Sequence, residues 1–477
     1  MKKFIVMACL GLLPFAHAAA EGYQANLQST KQLGMGHVGV AMKLGAESIH
    51  FNPAGLAFME GPVQFSAGVT GVFTNGYIQN GDTKSSMDNT PSTPLYLYAG
   101  FKIYDNLAAG IGINTPFGSS ITWGDNWEGA HLIQEIALKS YNIQPTLSWK
   151  ITDRLSVGAG LMMIFGNIKL NKALIGPGEL SSMAETLISL QPSLASAASA
   201  LTSSISLFDD ISALSINLKG DAGVRMGFNV GAMFDINDQW TVGVSYRSKV
   251  TAKVKEGDVS LVYANQEALS SLLSTVNQLL PLIGVESSIS LPSFNNASFS
   301  AQLPLPSNFN IGVSYKPNNR WIISGEVQCV GWGAYDQLDV YFSPASELSQ
   351  YDMSATKDYK NSRAYRVGTQ FAATHRLDLR LGVYYDESPV PDDYLNPETP
   401  SMDKLGLTAG FSFRPMEHFS VDFAFGYAAG LSRDGSYTDE YMLMGSLPVS
   451  DELKTRTYGG HYKVWAFMPS IGISYGF

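Results

Sequence analysis

The sequence predicts an all-β chain: a transmembrane antiparallel β-barrel of about fourteen strands, with an N-terminal hatch that plugs it and helical extracellular loops. Three observations carry that expectation. The C-terminal segment alternates, with Trp465, Phe467, Ile471, Ile473, Tyr475 and Phe477 on one face and Ala466, Ser470, Gly472, Ser474 and Gly476 on the other; this is the apolar-out, polar-in pattern of a strand between lipid and lumen. Short polar turns recur along the chain with long insertions between them. Among the 477 residues, 15% are charged, 11% are aromatic and 46 are glycine, and mean hydropathy lies near zero, as it does when lipid-facing and lumen-facing side chains average out.

The chain opens with Lys2 and Lys3, an apolar stretch from Phe4 to Phe15, and small residues at Ala16-His17-Ala18 and Ala18-Ala19-Ala20. Residues 1–20 therefore read as a secretory signal peptide, cleaved at Ala18 or Ala20. A lipoprotein leader ending at Cys9 would have too short an apolar core before the cysteine. Beyond the leader there is no apolar run of about 18 residues, so no transmembrane helix is available, whereas barrel strands need only about 9 to 11 residues each.

The turns count the strands. Tyr104-Asp105-Asn106, Thr152-Asp153-Arg154, Asn237-Asp238-Gln239, Pro317-Asn318-Asn319-Arg320, Ala373-Thr374-His375-Arg376 and Pro415-Met416-Glu417-His418 each precede a strand that opens on Leu107, Leu155, Trp240, Trp321, Leu377 or Phe419. Six turns join twelve strands, and a first strand from about Val63 and a last one ending at Phe477 make about fourteen, an even number. Both barrel ends then lie on the periplasmic side. Residues 21–61 therefore lie inside or beneath the barrel, and 62–477 form the barrel itself. The terminal aromatic Phe477 is similar to the signal such barrels present for assembly.

Two of the long loops are patterned. Leu180, Met183, Leu187, Leu190, Leu194, Ala198, Leu201, Ile205, Phe208 and Ile211 step by three and four, as do Leu269, Leu272, Leu273, Val276, Leu279, Leu280 and Ile283. Such amphipathic helices either cover the barrel mouth or form an apolar groove that captures a greasy ligand, with Leu187, Leu190, Leu194, Leu272, Leu273, Leu279 and Leu280 as its lining.

Alternation places Asp221, Arg225, Arg247, Glu326, Arg366, Arg380 and Asp422 on inward faces. They either form ion pairs that fill and stiffen the lumen or, in the case of Arg225, Arg247, Arg366 and Arg380, offer a guanidinium to a ligand headgroup. In the third strand, Pro116 lacks the amide that a central strand needs. Either the strand has already left the membrane there, or Asn114, Thr115, Pro116, Phe117 and Gly118 form a kink that opens the wall.

Other functions find little support. Cys329 is the one cysteine after the leader, so no intramolecular disulfide and no cysteine metal site can form. The histidines His37, His50, His131, His375, His418 and His461 show no metal-ligand spacing, and no nucleophile motif accompanies them. No enzyme and no cofactor is therefore expected. A net charge of -10 argues against nucleic acid as a partner.

Taken together, "GMGHVGVAMKLGAESIHFNPAGLAF", "PFG" after the third strand, "LPLPSNFNIGVSYKPNNRWIISGEVQCVGWGAY" and the "YYDESPVPD" block with "PSMDK" resemble the FadL/TodX family of outer-membrane transporters for long-chain fatty acids and other hydrophobic compounds. The resemblance implies a fourteen-stranded barrel with a hatch and passive transport. Capture occurs between helical loops, followed by an internal pocket, rearrangement of the hatch N-terminus and sideways exit at the kinked third strand. It also implies that Asn52, Pro53, Ala54 and Gly55 match the hatch turn and that Asn114 to Gly118 match the kink. Where fatty-acid members place basic residues, this chain has Asp339 and Gly166-Asn167, which removes those positions as carboxylate ligands. The partners expected are a hydrophobic small molecule, a fatty acid foremost, and outer-membrane lipid around a monomer. A surface adhesin or receptor barrel, or a carrier of neutral and aromatic hydrocarbons, is the alternative. The forty-odd residues before the first strand argue against an open pore. Within the hatch, Pro53 fixes φ and Asn52 can bond its own backbone, so the Asn-Pro turn is read as the anchor and residues 21–32 as the part that moves.

Overall fold

The structure, a computed structural model, describes residues 22–190, 201–283, 288–291, 293–440 and 455–477. The expected leader, residues 1–20, and Leu194 of the expected groove lie outside the described residues.

Fourteen strands form the wall. They are β1 (Val63–Thr70, continued by Phe73–Asn80), β2 (Leu95–Tyr104), β3 (Leu107–Asn114, continued by Gly118–Thr122), β4 (Glu135–Lys150) and β5 (Leu155–Ile175). Next come β6 (Leu214–Asp235), β7 (Trp240–Arg247, continued by Val250–Tyr263), β8 (Ser298–Leu305, continued by Asn308–Asn318) and β9 (Trp321–Val330, continued by Gln337–Ser343). The last are β10 (Ser362–Thr374), β11 (Leu377–Asp386), β12 (Lys404–Met416), β13 (Phe419–Gly430, continued by Arg433–Glu440) and β14 (Thr455–Gly476). Neighbours run antiparallel, and β1 closes the ring on β14 with Gln64 opposite Gly476 and Thr70 opposite Ser470. All six tight turns fall where turn chemistry put them, with Leu107, Leu155, Trp240, Trp321, Leu377 and Phe419 opening strands. Among the described residues, no helix is long and apolar enough to cross a membrane.

Alternation sorts the side chains as a barrel requires. Along β4, Ile136, Leu138, Ser140, Asn142, Gln144, Thr146 and Ser148 are buried, while Lys139, Leu147 and Trp149 between them are exposed. At the turn end the outward face carries an aromatic girdle, including Trp240 stacked on Tyr315 with centroids 4.2 Å apart and Trp321 against Phe371 at 4.6 Å.

One inward assignment fails. Asp221 is exposed, although Arg225 on the same strand faces inward. Between these residues the register shifts, with Ile164 opposite Arg225 but Gly166 opposite Ala222, so three steps on β6 match two on β5. A bulge of this kind inverts the alternation and sends Asp221 outward.

Residues 22–62 run within the wall rather than in it. The segment forms two short helices, Thr30–Leu33 and Ser48–Phe51, and two 3-10 turns, Gly45–Glu47 and Pro53–Phe58. Leu33, Met35, Val38, Ile49 and Leu56 are fully buried. Its backbone lies so close to the inner face that a Cβ at Gly368 would strike the carbonyl of Met35, and one at Gly382 the amide of Gly36. Wall glycines at these positions make the close approach possible.

Candidate functional site

The wall is interrupted in β3. Asn114 pairs with Asn142 and Gly118 with Lys139, so four steps on β3 match three on β4, and Thr115, Pro116 and Phe117 form no regular ladder. Beyond this break β3 pairs only with β4, because β2 has ended at Leu95. An unpaired backbone in a membrane wall costs several kcal/mol per group, so the partners of these residues matter.

The N-terminal segment supplies them. Thr115 O accepts from Gln28 Nε2 at 3.2 Å, Pro116 O from the amide of Ala25 at 3.0 Å, and the amide of Gly118 donates to Tyr23 O at 2.9 Å. Gln24 and Phe117 form an isolated antiparallel bridge. On the other side, Phe117 exchanges bonds with Ser140, its amide donating to Ser140 Oγ at 3.0 Å and its carbonyl accepting from the Ser140 amide at 3.1 Å. Residues 23–28 thus act from inside as the strand that β2 does not provide. Tyr23 continues the link across the lumen: its ring meets Trp332 edge-on at 4.8 Å and Tyr335 at 5.7 Å, and its hydroxyl donates to Pro304 O. Gln24 Nε2 donates to Asn308 Oδ1 at 3.0 Å.

A cavity of about 570 Å³ lies against the break. It touches Leu27, His37, Tyr384 and Met468 in the lumen, Phe117 and Gly118 at the break, and the outward-facing Lys139 and Tyr141 of β4. Its walls therefore belong to both faces of the barrel. At its inner end Lys404 and Asp386 stand 3.8 Å apart.

The remainder of the inner segment is held by buried polar groups. Asn52 Nδ2 donates to Val40 O at 2.7 Å and Ala232 O at 3.1 Å, and its Oδ1 accepts from the Ala54 amide at 3.1 Å, capping the turn that contains Pro53, Ala54 and Gly55. Glu47 accepts from Ser29 Oγ at 2.6 Å and Ser66 Oγ at 2.5 Å. Glu326 Oε2 accepts the amides of Gly39 at 2.8 Å and Val40 at 2.9 Å.

Three of the four arginines considered for a headgroup are bound to protein. Arg247 donates to His50 O at 2.9 Å. Arg366 lies 3.5 Å from Glu326 and donates to Gln328 Oε1 at 2.6 Å, and Arg380 donates to Gln370 Oε1 at 2.8 Å and Ser412 Oγ at 2.5 Å. Arg225 has no hydrogen bond or ion pair among the described residues, and its Nε is buried without a partner. It faces a second, smaller cavity of about 40 Å³, lined by Leu138, Ile164, Val250, Leu303 and Leu338.

The expected groove residues fall on two loop helices, only one of which has those leucine side chains described. In the helix Gln266–Leu279, capped by Asn265 through a 3.0 Å bond from the Ala268 amide, Leu272 and Leu273 are buried, as is Leu280 just beyond; Leu279 is half-buried. Leu272, Leu273 and Leu280 join the same apolar core as Leu180, Met183 and Phe294. These leucines are thus packed within that core rather than facing solvent. Leu187 and Leu190 lie on the helix Glu179–Leu190, with their side chains outside the described part.

A closed barrel with an aliphatic outer face, a filled lumen and a sideways break bridged by its own N-terminal segment defines an outer-membrane transport barrel. The family model for the outer membrane protein transport proteins (OMPP1/FadL/TodX) matches residues 13–477, and the chain belongs to this family. It is 25% identical over 431 residues to a putative outer membrane protein of Neisseria meningitidis, covering 86% of each chain. It is 24% identical over 422 residues to the long-chain fatty acid transport protein of Escherichia coli O6:H1, covering 87% of this chain and 88% of the relative. Among solved structures, a Pseudomonas aeruginosa FadL homologue superimposes with a TM-score of 0.72 at 19% identity, covering 96% of this chain and 100% of that one. The Pseudomonas putida toluene transporter TodX does so with 0.63 at 17%, covering 96% and 99%. The chain is thus an outer-membrane protein that transports hydrophobic compounds, a passive channel and not an enzyme.

Proposed function

We propose that this protein carries long-chain fatty acids from the cell exterior into the outer membrane, releasing them sideways through the break at Thr115 to Phe117. The ligand enters beneath the helical loops and brings its head to the small apolar pocket at Arg225, which has no room for the whole chain; there the guanidinium, unpaired among the described residues, faces the carboxylate. From there it moves to the larger cavity, which shares Leu138, Lys139 and Ser140 with the first. Residues 22–28 leave the break, and the chain slides out between β2 and β3. Each CH2 group kept from water favours this route by about 0.8 kcal/mol.

The observation that carries the reading is the cavity with walls on both faces of the barrel. The E. coli relative is named for fatty acids and the P. putida neighbour for toluene, and one feature favours neutral hydrocarbons as the second substrate class: the Lys404 ammonium at the inner end of the larger cavity is already matched by Asp386. Gly118→Trp tests the route. The indole projects into the cavity beside Lys139, so uptake of palmitate and toluene is expected to fall by about tenfold or more. Undiminished uptake of both, with the barrel correctly assembled, would sink sideways exit.

A further inference from the structure

The register of the wall fixes the height of the opening. Outward-facing pairs between β4 and β5 run Trp149 and Val157, Leu147 and Ala159, Ile143 and Met163, Tyr141 and Phe165, then Lys139 and Asn167. Trp149 lies at the turn end, half-exposed among the lower aromatics. Tyr141 and Phe165 stack with centroids 5.7 Å apart, as an upper aromatic pair. From Trp149 to Lys139 is ten residues; at about 3.3 Å per residue and a tilt of about 40°, Lys139 stands about 25 Å above Trp149. That equals the apolar band of an outer-membrane barrel, roughly 25 Å. Lys139 therefore sits at the level of lipid headgroups, one step above the aromatic pair that marks the interface.

Its charge is uncompensated. Lys139 is exposed and has no hydrogen bond or ion pair among the described residues. Neighbouring Lys169 is matched by Glu135 at 2.6 Å, and the same carboxylate accepts from Asn171 at 3.1 Å. Opposite Lys139 stands neutral Asn167, and the nearest outward carboxylate in that row, Asp221, is two strands away on β6. Lys139 also lines the cavity that crosses the wall. An ammonium at the edge of an apolar phase attracts a carboxylate more strongly than one in bulk water.

We infer that Lys139 receives the carboxylate of an amphiphile as it leaves the wall, so that the molecule enters the outer leaflet with its head at the interface and its chain already pointing down the apolar band. This rests on the sideways exit proposed above. Lys139 is then a specificity residue for carboxylated over neutral ligands, acting at the exit rather than in the lumen.

The test is transfer of two probes of equal chain length, palmitate and hexadecane, through the purified protein reconstituted in vesicles. Lys139→Glu is expected to slow palmitate about tenfold and leave hexadecane unchanged, with Lys139→Gln between the two for palmitate. Heat-dependent gel mobility verifies that the variants are closed barrels; the residue is exposed, and its replacement removes no bond. Palmitate transfer equal to wild type in Lys139→Glu would overturn the inference and leave sideways exit standing, and equal slowing of both probes would overturn it as a steric effect. Transfer of neither probe by the wild-type protein would overturn both readings.

Discussion

The two halves of the inner segment are attached in different ways. Residues 29–59 are fixed by groups that are expensive to expose: the Glu326 carboxylate on the amides of Gly39 and Val40, Glu47 between Ser29 and Ser66, and Asn52 on Val40 and Ala232. Residues 22–28 are held by neutral bonds to the break in β3 and by ring contacts at Tyr23. Removing one partner of a buried charged pair costs about 3–5 kcal/mol. A neutral hydrogen bond is worth only about 0.5–1.5 kcal/mol net. The inner segment is thus strongly attached along most of its length and weakly at its tip, which is the contrast that the proposed sideways exit requires.

Substitutions can break that contrast. The largest effect is expected for Glu326→Ala, which strands Arg366 and two amides: a loss of about 3–5 kcal/mol in urea unfolding of the detergent-solubilised barrel. Asn52→Ala is expected to cost about 1–2 kcal/mol in the same measurement, through the lost cap and the two carbonyls left without their donor. Tyr23→Phe removes only the bond from the hydroxyl to Pro304 O on β8 and keeps the ring contacts, so unfolding is expected to change by about 1 kcal/mol. Hydrogen exchange at the amides of Ala25 and Gly118 should nevertheless quicken severalfold, and unchanged exchange would show that the Tyr23 hydroxyl does not hold the tip. Arg225→Ala is expected to lie within about 0.5 kcal/mol of wild type, since no protein partner is lost, whereas fatty-acid binding by calorimetry weakens. A large stability loss instead would mean that the arginine serves the wall.

What could be read from the sequence follows the range of the forces involved. The strands were legible because each tight turn is written in three or four adjacent residues and the outward aromatics repeat every second position. The break at Pro116 was legible because a missing amide is a property of one residue. The partner of the break was not. Nothing in Tyr23-Gln24-Ala25 marks a strand, and its bridge to Phe117 spans more than ninety residues. Asp221 falls on the other face because of a bulge between Ala222 and Arg225, whose local sign, Gly223, does not stand out among the many glycines of the strands. The arginines were visible as inward-facing but not ranked, since Arg366 finds Glu326 and Gln328 on the neighbouring strand, about forty residues away, and nothing local to Arg225 shows that it has no such partner among the described residues. The loop helices were legible as helices, while the packing of Leu272, Leu273 and Leu280 depended on the core they join.

The most direct test of the account is to lock the tip of the segment to the break. Gln24 and Phe117 are antiparallel partners, and such pairs have Cα separations of about 4.5–5.5 Å, within reach of a disulfide. In a Cys329→Ser background, Gln24→Cys with Phe117→Cys is expected to abolish palmitate transfer when oxidised and to recover it on reduction, with the barrel folded in both states. Transfer that proceeds unchanged with the disulfide formed would contradict release of residues 22–28 as the step that opens the wall.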